Sequence, residues 1–342
     1  MKLQPNYVPQ TFKRFLFPTM FLVFGGGAIL GIFIGRYVLH GHGDNFNCTE
    51  TREVRNWRFV SPLFECEASE KLREGLVPFG YKMQRLVQTQ MRLGAVQDTA
   101  VYYRDLRNGP WSGVNERARF IPSSLLKVPL MMSYYSMAEK DPSVLGWKFT
   151  LEKKIPDPPN TVQAISPSKE IEVGKEYSTE ELIRRIIVYS DNQAATLLYR
   201  RVNYHVLSEV FERLGVPDLS NSLIENTLSV KEYAAFFRIL YNASFLTDTM
   251  SEKALKLLGE TEFNDGIVAG VPPDIRVSHK FGEAGSFGAE GRQLHDCGVI
   301  YHPLRPYLLC VMTKGENVAS LTKSIKEISE LVYQSVDEQV AE

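Results

Sequence analysis

An uncharged apolar run from Phe15 to Gly35 constrains this chain most, because a helix of that length spans roughly 30 Å, the thickness of a bilayer core. Basic residues precede the run, whereas Arg36 is the only Lys or Arg between its end and Arg52. The positive-inside rule therefore predicts a transmembrane anchor at 15–35, with residues 1–14 in the cytoplasm and the remainder outside. A cleaved signal peptide is the alternative, but the run is longer than a usual signal-peptide core and no A-x-A-like site follows it.

Three glycines in this run, Gly27, Gly31 and Gly35, recur at every fourth position. On a helix they would line one face without side chains, where a second helix could approach closely. The pattern is compatible with a weak homodimer through this face, although a glycine-rich anchor without a partner is the simpler interpretation.

The rest of the chain has the composition of a globular domain. Of 342 residues, 44% are hydrophobic and 23% are charged, and the formal net charge is -1. This balance provides no polybasic surface, so it argues against nucleic acid as a partner and favours small-molecule or peptide chemistry. We expect residues 36–68 to form a linker and residues 69–336 to form the folded domain.

The four cysteines fit an exported domain, where disulfides persist. Cys48 and Cys66 flank a short apolar stretch after the predicted anchor, and we expect them to pair. Cys297 and Cys310 lie in two apolar runs around a Pro-rich turn, and a hairpin centred between them places these two opposite each other. A cross-strand disulfide and two buried thiols are equally consistent with that position. No Cys or His spacing typical of a metal site occurs, so we expect neither a metal nor another cofactor.

The order of secondary-structure signals predicts an α+β fold. Helical periodicity at 70–92, interrupted near Pro78 and Gly80, precedes a strand at 99–106, and strand signals return after Val277 before a C-terminal helix at 318–336. The predicted helices of the middle third are 124–137, 179–201, 205–214 and 229–241. We therefore expect an antiparallel sheet flanked by N- and C-terminal helices, beside an all-α lobe.

Ser124 and Lys127 form an S-x-x-K pattern just after Pro122, at a predicted helix start. Residues three apart share a helix face, so the hydroxyl and the amine are neighbours. A serine becomes a good nucleophile when a base accepts its proton, and a lysine can be that base when burial or nearby positive charge lowers its pKa. By itself the pattern is weak, because it occurs by chance in many helices with a solvated lysine.

Two further patterns follow in order: Ser190 begins an S-D-N pattern, and Lys280 begins a K-F-G pattern at the returning strand segment. Together with S-x-x-K, they resemble the three motifs of the class A β-lactamases and the related penicillin-binding proteins, over roughly residues 70–335. The resemblance implies a serine hydrolase that forms an acyl-enzyme and acts on an amide bond of a β-lactam or a cell-wall peptide. The alternative is a penicillin-binding or sensor protein of the same fold that does not turn over.

The resemblance assigns catalytic roles to four side chains and substrate contacts to three further residues. The catalytic set is Ser124 as the acylated nucleophile, Lys127 as its proton acceptor, Ser190 as the relay to the leaving nitrogen, and Lys280 as a positive charge that poises Ser190. The substrate-binding set is Asn192, Gly282 and Glu283, and the backbone N–H of Glu283 would form an oxyanion hole with that of Ser124.

Two departures from the family pattern affect the expected substrate and its turnover. The family usually has Thr or Ser after the third-motif lysine, where a hydroxyl helps to bind a substrate carboxylate, but this chain has Phe281, with Glu283 on the same side of a strand. We therefore expect a neutral or amine-bearing substrate group there and poor binding of a penicillin-like carboxylate. The E-x-x-L-N string that supplies the class A hydrolytic base is absent from 215–227, where Glu225 is the possible substitute. A long-lived acyl-enzyme is expected, which favours peptidase or transpeptidase behaviour.

Overall fold

The computed structural model describes residues 48–52, 58–60, 63–68, 76–107, 109–156, 164–216, 227–285 and 291–341. The predicted anchor at 15–35, with its three glycines, lies outside these ranges, and so does Glu225. Within the described ranges, every helix is too short or too polar to cross a bilayer.

A short hairpin occupies part of the range that was predicted as a linker. Strands β1 (Cys48–Arg52) and β2 (Leu63–Ala68) pair antiparallel, with Cys48 opposite Ala68 and Cys66 opposite Glu50. The disulfide between Cys48 and Cys66 stays a prediction.

A five-stranded antiparallel sheet in the order β4-β3-β11-β10-β9 forms the centre of the domain. Its strands are β3 (Asp98–Asp105), β4 (Trp111–Val114), β9 (Val277–Gly285), β10 (Arg292–Ile300) and β11 (Tyr307–Gly315). One face packs against helices from the two ends of the domain, α1 (Leu76–Arg92) and α8 (Val318–Ala341), in one buried apolar cluster. The predicted α+β class, with an antiparallel sheet and flanking helices, is confirmed.

The opposite face of the sheet packs against a helical lobe in a second, larger apolar cluster. The helices are α2 (Lys127–Lys140), α3 (Thr179–Val188), α4 (Asn192–Tyr199), α5 (Tyr204–Glu212), α6 (Val230–Tyr241) and α7 (Asp248–Leu258). Two small antiparallel pairs accompany them, β5 (Arg119–Phe120) with β8 (Leu228–Ser229) and β6 (Lys148–Thr150) with β7 (Glu176–Ser178). Short 3₁₀ turns cover Ser123–Leu126, Pro142–Gly146 and Val268–Gly270.

The described part of the first predicted helix, Leu76–Arg92, is continuous, so the expected interruption near Pro78 and Gly80 is wrong. Pro78 falls in the first turn, where a missing N–H costs no intrahelical hydrogen bond. Gly80 allows the helix to approach β4 closely, because a Cβ at that position would lie 2.8 Å from Oγ of Ser112.

The predicted helix at 179–201 is two helices, α3 and α4, and the S-D-N motif begins in the break between them. Ser190 has a φ of 57°, a left-handed backbone that cannot continue a helix. Asp191 then caps α4, since its side chain accepts the N–H of Ala194 at 3.1 Å. The apolar spacing runs across the break and concealed it in the sequence.

The predicted hairpin between β10 and β11 is present. Cys297 lies opposite Cys310 in the register, and the two form a disulfide on the face that packs against the helical lobe. The structure thus selects the disulfide from the two states that the sequence allowed.

Side chains of β10 hold the segment that leads to the 3₁₀ turn Ser123–Leu126. The N–H of Ile121 donates to Oε1 of Gln293 at 3.0 Å, and Nε2 of His295 lies 3.0 Å from the carbonyl oxygen of Ile121. The N–H of Thr313 donates to Nδ1 of His295 at 3.3 Å, so the ring is neutral and carries its proton on Nε2. Burial lowers the pKa of His295 from 6.5 to about 4, which agrees with that state.

The neutral His295 predicts a pH dependence of stability. Because its pKa is lowered in the folded protein, the unfolded chain takes up the proton first, and stability falls by about 3 kcal/mol as the pH falls from about 6.5 to about 4. The measurement is the free energy of unfolding in urea at pH 7 and at pH 4. His295→Gln should remove the His295 contribution to the difference between these two values, because the Gln amide can donate to the same carbonyl and does not titrate. The exposed His205→Gln is the control and should keep the wild-type difference. An H295Q variant as acid-sensitive as the wild type would contradict the assignment.

Candidate active site

Ser124 lies in the 3₁₀ turn Ser123–Leu126, which leads directly into α2. The preceding Ser123 has a φ of 48°, and its hydroxyl donates to the carbonyl oxygen of Glu283 on β9. A left-handed non-glycine residue costs about 1 kcal/mol or more and persists where contacts hold it. The hydroxyl of Ser123 therefore holds the turn that carries Ser124 against the edge strand of the sheet.

Lys127 lies among oxygen atoms of the first two motifs. Its Nζ is 2.9 Å from Oγ of Ser124 and 2.8 Å from Oδ1 of Asn192. The same Nζ contacts Ser190 twice, at 2.6 Å from its carbonyl oxygen and at 3.2 Å from its Oγ. The side chain is buried. A proton can thus pass between Ser124 and Ser190 through one amine, without leaving hydrogen-bond range.

Lys280 approaches the same serine from the sheet. Its fully buried Nζ lies 3.0 Å from Oγ of Ser190, 2.9 Å from the carbonyl oxygen of Phe281, and 4.1 Å from the centre of the Phe281 ring. Burial first, and then the charge of Lys127, lower the pKa of Lys280 well below its usual value, while Asp296 acts in the opposite direction. Oγ of Ser190 therefore lies within hydrogen-bond range of both lysine nitrogens, so its hydroxyl can exchange a proton with either amine.

The free edge of β9 supplies a backbone donor. In an antiparallel strand the N–H and C=O of one residue point to the same side, and successive residues alternate. The carbonyl oxygens of Phe281 and Glu283 accept from Lys280 and Ser123, so residues 281 and 283 direct their backbone groups away from β10. The N–H of Glu283 thus faces the turn of Ser124, which is the arrangement that an oxyanion hole needs.

Gly282 permits the close approach of this turn to β9. A Cβ at position 282 would lie 2.8 Å from Cγ of Leu125 and 2.9 Å from the carbonyl oxygen of Pro122. Only a hydrogen fits in that space, so the distance between the nucleophile and the edge strand depends on this glycine.

Gly282→Ala should displace the Ser124 turn and lower the rate of acylation by a fluorophosphonate roughly a hundredfold, because misplacement by about 1 Å can cost that much. The rate is measured by time-resolved intact-protein mass spectrometry. Gly146→Ala is the matched control, since a Cβ there meets nothing within 4 Å, and it should keep the wild-type rate. Equal rates in the two variants would show that the approach is not required.

The side chain of Glu283 is buried and hydrogen-bonded, and the expected preference for a neutral or amine-bearing substrate group stays a prediction. The side chain is 1% exposed and accepts hydrogen bonds from the N–H groups of Ala164 and Ile165 and from Arg292. Phe281, on the same face of β9, packs its ring against Phe263 with the ring centres 4.5 Å apart.

The sequence did not predict the contacts that the segment between α2 and α3 makes with the start of α4 on one side of the site and with β9 on the other. Gln193 binds the backbone of Ile155 through both amide atoms, at 2.8 and 2.7 Å, and Asp191 accepts the N–H of Ile171 at 2.8 Å. On the sheet side, Glu283 binds Ala164 and Ile165. The available signal was the position of Gln193, which directly follows the S-D-N motif and precedes the small apolar residues Ala194 and Ala195.

The structure brings all of the predicted motif residues together. Ser124, Lys127, Ser190, Asn192 and Lys280 form one hydrogen-bonded group, and Gly282 and Glu283 border it on β9. Glu225 lies outside the described ranges, and its role as a deacylation base stays a prediction.

Comparisons with known proteins agree with this arrangement. The sequence matches the model of the beta-lactamase enzyme family over residues 82–336. The structure is similar to that of PBP-A, with a TM-score of 0.63 and 20% identity over 77% of this chain and 97% of that chain. It is also similar to the class A beta-lactamase from Mycobacterium abscessus, with a TM-score of 0.63 and 20% identity over 75% of this chain and 99% of that one. The likeness to these structures shows the fold. The search of curated proteins found no match to the chain.

Proposed function

Because the chain belongs to the beta-lactamase enzyme family, we propose that it is a serine hydrolase that forms an acyl-enzyme on Ser124. Its substrate is the amide bond of a β-lactam or of a cell-wall peptide. The observation that carries this proposal is the continuous hydrogen-bonded path from Ser124 through Lys127 and Ser190 to Lys280.

Acylation exchanges one bond and moves one proton along this path. With Lys127 in its neutral form, Oγ of Ser124 gives its proton to Nζ and attacks the carbonyl carbon. The negative charge on the carbonyl oxygen develops between the N–H groups of Ser124 and Glu283. The carbon–nitrogen bond then breaks as Ser190 donates its proton to the leaving nitrogen, and Lys127 returns the first proton to Ser190. An ester on Ser124 and a free amine result.

Deacylation distinguishes the proposed hydrolase from the alternative, a penicillin-binding or sensor protein that does not turn over. The segment 215–227 has no E-x-x-L-N string, and Glu225 is the substitute that the sequence offers. A mutant of the similar PBP-A is known as an acyl-enzyme complex with penicillin G. We therefore propose a slowly hydrolysed adduct, which suits a peptidase or transpeptidase better than a rapid β-lactamase.

We further propose that residues 15–35 anchor the domain in a membrane, with the N-terminus in the cytoplasm and the catalytic domain outside. The charge distribution around the apolar run supports this orientation, and the Cys297–Cys310 disulfide fits an oxidising compartment. A weak homodimer through Gly27, Gly31 and Gly35 is part of the same proposal. Protease added outside cells whose cytoplasmic membrane is intact and accessible should digest the domain, and protection there would contradict the orientation.

Intact-protein mass spectrometry tests the acyl-enzyme. The full-length protein in detergent is incubated with a chromogenic cephalosporin and, separately, with a fluorophosphonate. We expect one equivalent of adduct in the wild type and none in Ser124→Ala. Ser133→Ala is the control, because this buried serine on α2 bonds to the carbonyl oxygen of Pro129 and should leave the adduct unchanged.

The course of the cephalosporin reaction separates the two functions. Colour release that continues beyond one equivalent would identify a hydrolase, whereas a persistent adduct would identify slow deacylation. The absence of an adduct with both reagents would contradict the proposed function.

A further inference from the structure

Glu283 is a buried carboxylate in the sheet wall of the site. We propose that Glu283 is a specificity-determining residue whose carboxylate occupies the anion-binding donors at this end of the cleft, so that the protein disfavours acyl donors with a carboxylate beside the scissile amide and accepts neutral ones. This inference rests on the proposed function and names the class of substrate for the same site.

Three donors converge on the Glu283 carboxylate. The N–H of Ala164 lies 2.9 Å from Oε2, the N–H of Ile165 lies 3.0 Å from the same oxygen, and Nη1 of Arg292 lies 3.2 Å from Oε1. Two successive backbone N–H groups and a guanidinium are the donors that proteins use to bind carboxylate ligands. Here the carboxylate of Glu283, and not that of a ligand, accepts from these donors.

This internal anion lies close to where the leaving group of a substrate must bind. In the proposed reaction Ser190 protonates the leaving nitrogen, so the substituent on that nitrogen lies beside Ser190, Lys280 and Phe281. Glu283 is two residues beyond Phe281 on the same face of β9, about 7 Å away along the strand. A carboxylate on the substituent would therefore meet a like charge, and the repulsion from a buried group is screened less than between two solvated charges.

The surroundings of Phe281 also disfavour an anion. Its ring packs on Phe263, and Ile165 packs against the same buried cluster. Asp296 lies opposite Phe281 in the register and is buried, where Nδ1 of His279 lies 2.8 Å from its Oδ1 and the N–H of Ile267 donates to Oδ2 at 2.9 Å. An apolar ring and two hydrogen-bonded carboxylates suit an uncharged substituent.

Lys280 is the positive group that could oppose this preference. Its Nζ is already bonded to Ser190 and to the carbonyl oxygen of Phe281. Burial also lowers the pKa of Lys280, which reduces its attraction for an anion. Lys280 therefore offsets only part of the preference that the Glu283 carboxylate and the Phe281 ring produce.

A matched pair of acyl donors tests the inference: a cephalosporin with a free carboxylate and its methyl ester, which is neutral. The rate of adduct formation on Ser124 of the full-length protein is measured for each, and the ratio of acid to ester is taken within one variant, so that general damage to the site cancels. We expect a ratio below one in the wild type. Glu283→Gln keeps an oxygen that accepts the same N–H groups but removes the charge, and should raise the ratio roughly tenfold or more.

Two further variants sharpen the test. Arg292→Gln removes the positive partner and should lower the ratio further, which keeps the inference testable if Glu283→Gln does not fold. Glu252→Gln is the matched control, because Glu252 also accepts backbone N–H groups, those of Arg58, Phe59 and Val60, but lies on a helix outside the site. It should keep the wild-type ratio.

The outcomes separate the inference from the proposed function. A wild-type ratio above one, or a ratio unchanged by both Glu283→Gln and Arg292→Gln, would overturn the inference and leave acyl-enzyme formation intact. The absence of a Ser124 adduct with both donors and with a fluorophosphonate would overturn the proposed function, and the inference with it.

Discussion

Two buried lysine amines share one serine hydroxyl, and the rest of the site depends on that contact. Nζ of Lys127 and Nζ of Lys280 lie 3.2 and 3.0 Å from Oγ of Ser190. Two positive charges so close together in a poorly solvated place repel each other, so the pair favours the loss of one proton. In the proposed reaction this repulsion supplies a base for Ser124, and the fold must hold both amines in place against it.

Each lysine comes from a different part of the fold. Lys127 begins α2 in the helical lobe, Lys280 lies on the edge strand β9, and Ser190 occupies the break between α3 and α4. The site therefore exists only where the lobe meets the sheet. The hydrogen bonds of Ser123 to Glu283 and of His295 to Ile121 secure this junction from the sheet side. Because they fix the segment just before Ser124, the proposed nucleophile and oxyanion donors keep one geometry, as electrostatic catalysis requires.

In the proposed function, by contrast, specificity arises from groups that take no part in proton transfer. Phe281 and Glu283 alternate along β9 with Lys280 and Gly282, so one face of the strand serves catalysis and the other carries the apolar ring and the internal carboxylate. The backbone of Glu283 faces the nucleophile while its side chain binds Ala164 and Ile165. A single strand thus allows the substrate preference to change without moving the catalytic amines.

Features that depend on neighbouring residues were predictable from the sequence alone. Ser124 and Lys127 share a helix face because they are three residues apart, and Cys297 and Cys310 are opposite because they are equally distant from their turn. The α+β class followed from local periodicity, and the three motifs were identified by their resemblance to those of the class A β-lactamases and penicillin-binding proteins. Tertiary structure alone decided the break at Ser190, where the apolar spacing of a continuous helix persists, and the burial of Glu283 against Ala164, 119 residues away. A helix break or a buried ion is set by the free energy of contacts distant in the chain, and such contacts leave no periodic pattern in the sequence.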